Sequence, residues 1–196
     1  MNDIQNILLV GVGGQGVLLA SELLSDAAFK SGLDIKKSEV HGMAQRGGVV
    51  SSHVRFGQTV YSPLIPAGKC DVMLAFEQAE ALRWAHTMTS SGTIIVNTRK
   101  LVPPIALMKG VEYPENPLET VQKRLESVIA VDAQGIAAEL GNSRVENTIL
   151  LGVLSNFIKI SPQIWKDVIR SRVPKGTEEL NLSAFQKGAE AAAREQ

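Results

Sequence analysis

The stretch "ILLVGVGGQGVLLASELL" (Ile7–Leu24) constrains this chain more than any other. A short apolar run, Ile7–Val10, stops at a cluster of glycines, and a segment with helical spacing follows at once. Four apolar residues bounded by glycine read as a strand buried on both faces. Beyond the glycines, Leu19, Leu23 and Ala27 recur at i, i+4, i+8, and Gly32 supplies a stop. "LDIKKSEV" then reads as a second strand. An opening of strand, glycine loop, helix and strand belongs to an α/β chain with a Rossmann-like, mostly parallel sheet.

The rest of the chain extends that pattern. "GVVSSHVRFG" and "TVYSPLI" read as two strands of an antiparallel hairpin turning at Gly57 and Gln58. "DVMLAF", "GTIIVNT" and "VIAVDA" are further buried strands. They alternate with helices at "EQAEALRWAHTM" and "LETVQKRLES". After residue 142 only helices are expected, as a C-terminal extension over 143–196 on an α/β core over 1–142, the whole forming one domain. "RVENTILLGVLSNFIK" is apolar around most of its circumference. Its Gly152, at roughly 1 kcal/mol of helix propensity below alanine, predicts close approach by another backbone. Core burial and a subunit interface are both open to this helix. Ser161 and Pro162 mark the start of the next one.

Composition narrows the function. Lys+Arg and Asp+Glu number 20 each, so there is no basic excess for nucleic acid. No apolar run nears the ~18 residues of a membrane span, and no leader is evident, so a cytoplasmic location is expected. The single cysteine, Cys70, cannot build a disulfide framework or a four-thiolate cluster, and its apolar setting predicts a buried thiol. No pair of ligands has metal-site spacing. Glu77 and Glu80 read as a solvated helix face, and Asp132 as the cap of the helix after it.

Two loops carry the candidate chemistry. In "GVGGQG", Gly11, Gly13 and Gly16 have G-x-G-x-x-G spacing, with Gly14 and Gln15 between them. Glycine there permits a tight turn, backbone approach to a phosphate and close helix–strand packing, and the helix N-terminus favours an anion. A dinucleotide, another phosphate-bearing ligand and a purely structural role all stay open. Glu39 is the sole candidate for the ribose carboxylate of a dinucleotide site. The second loop is "EVHGMAQRGG". Its His41, Gln45, Arg46, Gly47 and Gly48 follow the second strand, at the same sheet edge as the glycine loop if the sheet is parallel. A guanidinium flanked by glycines suits a phosphate or a partner's carboxylate. His41 lacks a nucleophile partner, so no catalytic residue is assigned.

With those residues in view, the chain resembles the gamma-type subunits of the 2-oxoacid:ferredoxin oxidoreductases. The resemblance spans nearly the full length and rests on "GVGGQGV", "SEVHGMAQRGG", "VDAQGIAAELGNSRVENTILLG" and "VPKGTEELNLSAFQKG", in that order. The "HGMAQRGG" version of the loop is similar to that of the indolepyruvate branch; pyruvate, 2-oxoglutarate and ketoisovalerate relatives are the alternatives. The resemblance implies CoA-dependent oxidative decarboxylation of a 2-oxo acid with electrons passed to ferredoxin. Thiamine diphosphate with Mg and [4Fe-4S] clusters would be held by a larger alpha subunit, because this chain carries no motif for either. The glycine and Arg46 loops would then face CoA or the partner. A free-standing nucleotide-dependent oxidoreductase of Rossmann type and a noncatalytic scaffold subunit that only stabilises its partner are the rival readings.

Overall fold

In a computed structural model, residues 4–41, 48–101 and 112–193 are described. They form six strands: β1 (Gln5–Val12), β2 (Asp34–His41), β3 (Val49–Gly57), β4 (Cys70–Ala75), β5 (Met88–Asn97) and β6 (Ser127–Val131). Seven α-helices accompany them: α1 (Val17–Lys30), α2 (Gln78–Trp84), α3 (Pro117–Gln122), α4 (Ala133–Glu139), α5 (Glu146–Leu154), α6 (Pro162–Arg172) and α7 (Glu178–Ala193). The sheet order is β2-β3-β1-β4-β5-β6. Strands β1, β4, β5 and β6 pair in parallel, whereas β3 runs antiparallel to both of its neighbours.

The uninterrupted apolar runs follow from burial on both faces. Along β1, Ile7 and Leu9 enter one core with α1, α5, α6 and α7, while Leu8 and Val10 enter a second core with Ala81 of α2 and Val121 of α3. Helix α1 turns Ala20, Leu23, Leu24, Ala27 and Ala28 into the first core. It ends where Gly32, at φ 80°, takes the left-handed conformation that glycine accepts without strain.

One expectation about the fold is corrected. An antiparallel insertion exists, but it is β2 with β3; "TVYSPLI" forms no strand. That segment is a largely exposed connection tied to β3, with the Ser62 and Leu64 carbonyls accepting from Arg55 Nη1 (2.9 and 3.1 Å). Alternation alone could not distinguish a strand from a chain tethered by one long side chain.

Of the two places open to α5, core burial is the one it takes: every residue from Glu146 to Leu154 is buried within this chain. The close approach predicted at Gly152 is present. Its Cα faces the Phe185 carbonyl of α7, and Gly188 of α7 faces the Ile149 carbonyl of α5 in return. Each glycine lets the opposite helix backbone into the space a Cβ would take.

Ser161 accepts from the Gln163 N–H (3.2 Å) at the head of α6, as its position before Pro162 predicts. No described helix is long and apolar enough to cross a membrane.

Candidate functional site

Strand β1 delivers the chain to the carboxyl edge of the sheet, where the glycine loop turns it into α1. The glycines divide the work. A Cβ on Gly11 would lie 2.8 Å from Gln15 Oε1 and Val17 Cγ2 and 2.9 Å from Phe76 Cβ, so this position serves close packing. Gly14 and Gly16 have φ of 102° and 80°. Gly14 has open space where a side chain would stand, which leaves backbone facing a cleft. Helix α1 begins with no side-chain cap and no acidic residue in its first turn. Its leading N–H groups and the positive end of its dipole therefore stay available to an anion.

Gln15 spans the point where the crossovers on either side of the sheet diverge. Its Oε1 accepts from the Val12 N–H (2.7 Å) and its Nε2 donates to the Phe76 carbonyl (3.0 Å), so the amide ties the end of β1 to the end of β4. Both ends of this side chain are engaged with backbone.

The loop opens onto a cleft of about 400 Å³, whose wall opposite α1 includes Arg99, Gln134, Ser143, Arg144, Glu146 and Asn147. Arg99 follows β5. Its Nη1 donates to both carboxylate oxygens of Glu146 (2.9 and 3.1 Å). Glu146 also accepts from Asn97 Nδ2 (3.4 Å) and is buried. With only Nη1 committed among the described contacts, the other guanidinium donors remain for a ligand. Arg144 adds a second cation, at the turn preceding α5, with no ion pair among the described residues. A helix N-terminus and two arginines around one cleft fit a phosphate or pyrophosphate.

The second loop meets the first through Gly48, whose carbonyl accepts from the Gly13 N–H (2.8 Å). β2 runs in the same direction as β1, so His41 ends at the same edge. Gln45, Arg46 and Gly47 lie outside the described residues. Neither His53 nor His86 lines the cleft. His53 of β3 accepts from the Ile65 N–H (3.3 Å) and is half-buried, which lowers its pKa, and His86 is exposed against Trp84.

The topology bears on the dinucleotide reading. In that fold the strand after α1 lies directly beside β1, which brings its terminal acid to the ribose. Here β3 intervenes. Glu39 instead accepts from Ser21 Oγ (2.9 Å) and pairs with Lys37 (2.8 Å). The ribose-binding part of a dinucleotide site is not assembled.

Glu77 and Glu80 are corrected too: both are 1% exposed and form no solvated face. Glu77 accepts from the Ala79 and Glu80 N–H groups, the Leu101 N–H and the Tyr113 hydroxyl. It thus caps α2 and holds the chain that follows β5. Burial, then Glu77, pushes the Tyr113 hydroxyl well above the usual phenol range. The i, i+3 spacing that suggests a surface stripe is equally the spacing of a cap and its first-turn neighbour.

Desolvation pushes the Glu80 carboxyl above its ordinary range against the opposing pull of Arg83. A raised folded-state pKa contributes stability that is complete below about pH 4.5 and is lost as pH rises through the folded value. Glu80→Gln keeps the neutral state throughout. In thermal melts its stability relative to the parent should therefore rise from pH 4.5 towards neutrality; a flat difference would contradict the burial.

Asp132 caps α4 as expected, accepting from the Gly135 N–H (2.8 Å). Cys70 is buried and its thiol is pushed up to about 12, chiefly by burial. It should resist a thiol reagent at pH 8 in the native protein and react only on unfolding.

Sequence reasoning missed Arg99, Gln134, Ser143, Arg144, Glu146 and Asn147. One signal was available: five of the six residues of "NSRVEN" are polar or charged, at the head of an apolar helix.

The family model described as pyruvate ferredoxin/flavodoxin oxidoreductase matches residues 6–191. The chain is 40% identical over 195 residues, 95% of both chains, to indolepyruvate oxidoreductase subunit IorB of Thermococcus kodakarensis. It is 40% identical over 187 residues to the protein of that name in Archaeoglobus fulgidus, covering 93% of this chain and 92% of that one. Among solved structures, the gamma subunit of a keto/oxoacid ferredoxin oxidoreductase from Geobacter sulfurreducens superposes with a TM-score of 0.72 at 25% identity, over 97% of this chain and 99% of that one.

Proposed function

Because the chain belongs to the pyruvate ferredoxin/flavodoxin oxidoreductase family, we propose that it is the small subunit of an indolepyruvate oxidoreductase. The complex would oxidatively decarboxylate an aryl 2-oxo acid with CoA and pass the electrons to ferredoxin. The observation that carries this reading is the 40% identity to an indolepyruvate oxidoreductase subunit, which covers 95% of both chains. In this reading the chain supplies a wall of the active complex, and its glycine-loop cleft receives the phosphates of CoA.

The residues present do not fit the redox groups. A cluster needs several thiolates, and the one thiol here is buried and protonated. Among the described residues no three His, Cys, Asp or Glu side chains gather into a metal site. Thiamine diphosphate with its magnesium and the [4Fe-4S] clusters are therefore assigned to a larger partner. The Arg46 loop enters on its sequence and on the Gly13–Gly48 hydrogen bond, which holds its end against the glycine loop.

Anaerobic affinity purification of this chain from its host tests the assignment. It should bring down a larger chain with cluster absorbance and ferredoxin reduction dependent on both indolepyruvate and CoA. Elution alone, with bound nucleotide and no such activity, would overturn it. Within the complex, Arg99→Ala should raise the KM for CoA about tenfold, the scale of a charge-assisted hydrogen bond, with little change in kcat. An unchanged KM would remove the cleft from CoA binding.

A further inference from the structure

The sheet ends on β2, which has β3 as its one strand neighbour among the described residues. All of Asp34–His41 pairs with β3 without a register shift, and the strand holds no proline or glycine. From Asp34 to Glu39 it is half-buried, and Val40 is 59% exposed. A long, unbroken edge presents a row of unpaired N–H and C=O groups to any strand that can approach. Charged side chains commonly guard such an edge. Here they are met within the chain, Lys36 by Asp34 (2.6 Å) and Lys37 by Glu39 (2.8 Å). The lysines and carboxylates cancel, so no net charge of theirs repels a second strand.

The order of those charges selects the partner. Two copies of one strand pair antiparallel about a two-fold axis normal to the sheet, which sets each residue opposite one on the same face. The registers that overlap most of β2 are centred on Lys36, Lys37, Ser38 or Glu39. Those centred on Lys36, Lys37 and Glu39 set a charge directly against its own copy, which is unfavourable. Centred on Ser38, the strand is self-complementary. Lys37 then faces Glu39 of the second copy, Glu39 faces its Lys37, and the stem of Lys36 lies along the exposed Val40. The ion pairs within the chains and those between them close into a ring of alternating charge. Exposed apolar residues flank the foot of the edge. Phe29 stands in the last turn of the helix that leads into β2, and Tyr61 follows Val60, whose N–H donates to Asp34 Oδ2 (2.8 Å).

We propose that two copies of this chain pair through β2, with Ser38 opposite Ser38, into one sheet continuous across both. The opposite end of the sheet is β6, a shorter edge of 5 residues. Because β2 runs in the same direction as β1, antiparallel pairing points the carboxyl edges of the two copies opposite ways. Their glycine-loop clefts then open at opposite ends of the joined sheet, and each stays free for its own larger partner. A complex built on this chain contains its small subunits in pairs. The pairing holds whichever 2-oxo acid the complex takes.

Sedimentation equilibrium of the purified full-length chain tests this, with two substitutions at the exposed Val40. Val40→Lys sets a like charge against Lys36 of the second copy, and Val40→Glu sets an opposite one. The parent should sediment as a dimer. Val40→Lys should weaken that dimer about tenfold, through two symmetry-related repulsions, and Val40→Glu should leave it at least as tight as the parent. A change in folding alone would move both variants the same way. Ser38→Cys should form a disulfide-linked dimer on mild oxidation, faster than Lys123→Cys at an exposed site away from the edge; Cys70 is buried and takes no part. A monomeric parent would overturn the pairing. Equal effects of the two Val40 substitutions, or cross-linking at Ser38 no faster than at Lys123, would overturn the register and the proposal with it.

Discussion

Gly152→Ala is expected to destabilise the protein by about 3 kcal/mol or more, at the upper end of what overpacking costs. A helix interior normally rewards this substitution by roughly 1 kcal/mol, so the sign of the result is itself informative. The added methyl would enter the van der Waals envelope of the Phe185 carbonyl and reach within 2.9 Å of the Ala189 nitrogen. Those are backbone atoms of α7, and relief requires moving the helix. Gly188→Ala meets the Ile149 carbonyl from the other side. Once either substitution has pushed the helices apart, the second should cost less than it does alone. Urea denaturation of the two single variants and the double variant measures this. A parent-like midpoint for Gly152→Ala would mean that the α5–α7 crossing is looser than described.

Glu77→Ala should cost about 3 kcal/mol. It removes a helix cap and leaves buried donors unsatisfied, at 1–3 kcal/mol for each group that water cannot reach. The carboxylate accepts from three backbone N–H groups and the Tyr113 hydroxyl. Glu77→Gln should recover only part of the loss, because its amide nitrogen would face donors rather than acceptors. Release of the Leu101 and Tyr113 contacts should speed amide exchange at Leu101 beyond what the fall in global stability accounts for. A solvated Glu77 would give an alanine variant within about 0.5 kcal/mol of the parent, and that result would restore the surface reading.

The family resemblance was legible because its blocks are local: "GVGGQG" between a strand and a helix, and "VENTILLG" with a glycine inside an apolar helix. The site was only half legible. The glycine loop could be found from spacing, but its opposite wall could not. Arg99 and Glu146 are 47 residues apart and meet only because β5 ends beside the start of α5. Nothing periodic marks a lone arginine after a strand as the partner of a glutamate that heads a helix.

What the sequence by itself determined about this protein is what depends on neighbours in the chain. The ends of α1 at the glycine loop and Gly32, the caps at Asp132 and Ser161, and the buried strands around Cys70 and Val10 all follow from local preference and apolar periodicity. Tertiary structure decided the rest. It set β3 antiparallel between β2 and β1, which leaves Glu39 away from any ribose. It buried Glu77 and Glu80 where their spacing suggested solvent. It also brought Arg99 and Arg144 to the wall of the cleft at the glycine loop. The reason is physical: a cap or a strand is stabilised by residues a few positions away, whereas strand order, burial of a charge and the shape of a cleft depend on contacts between segments distant in the chain.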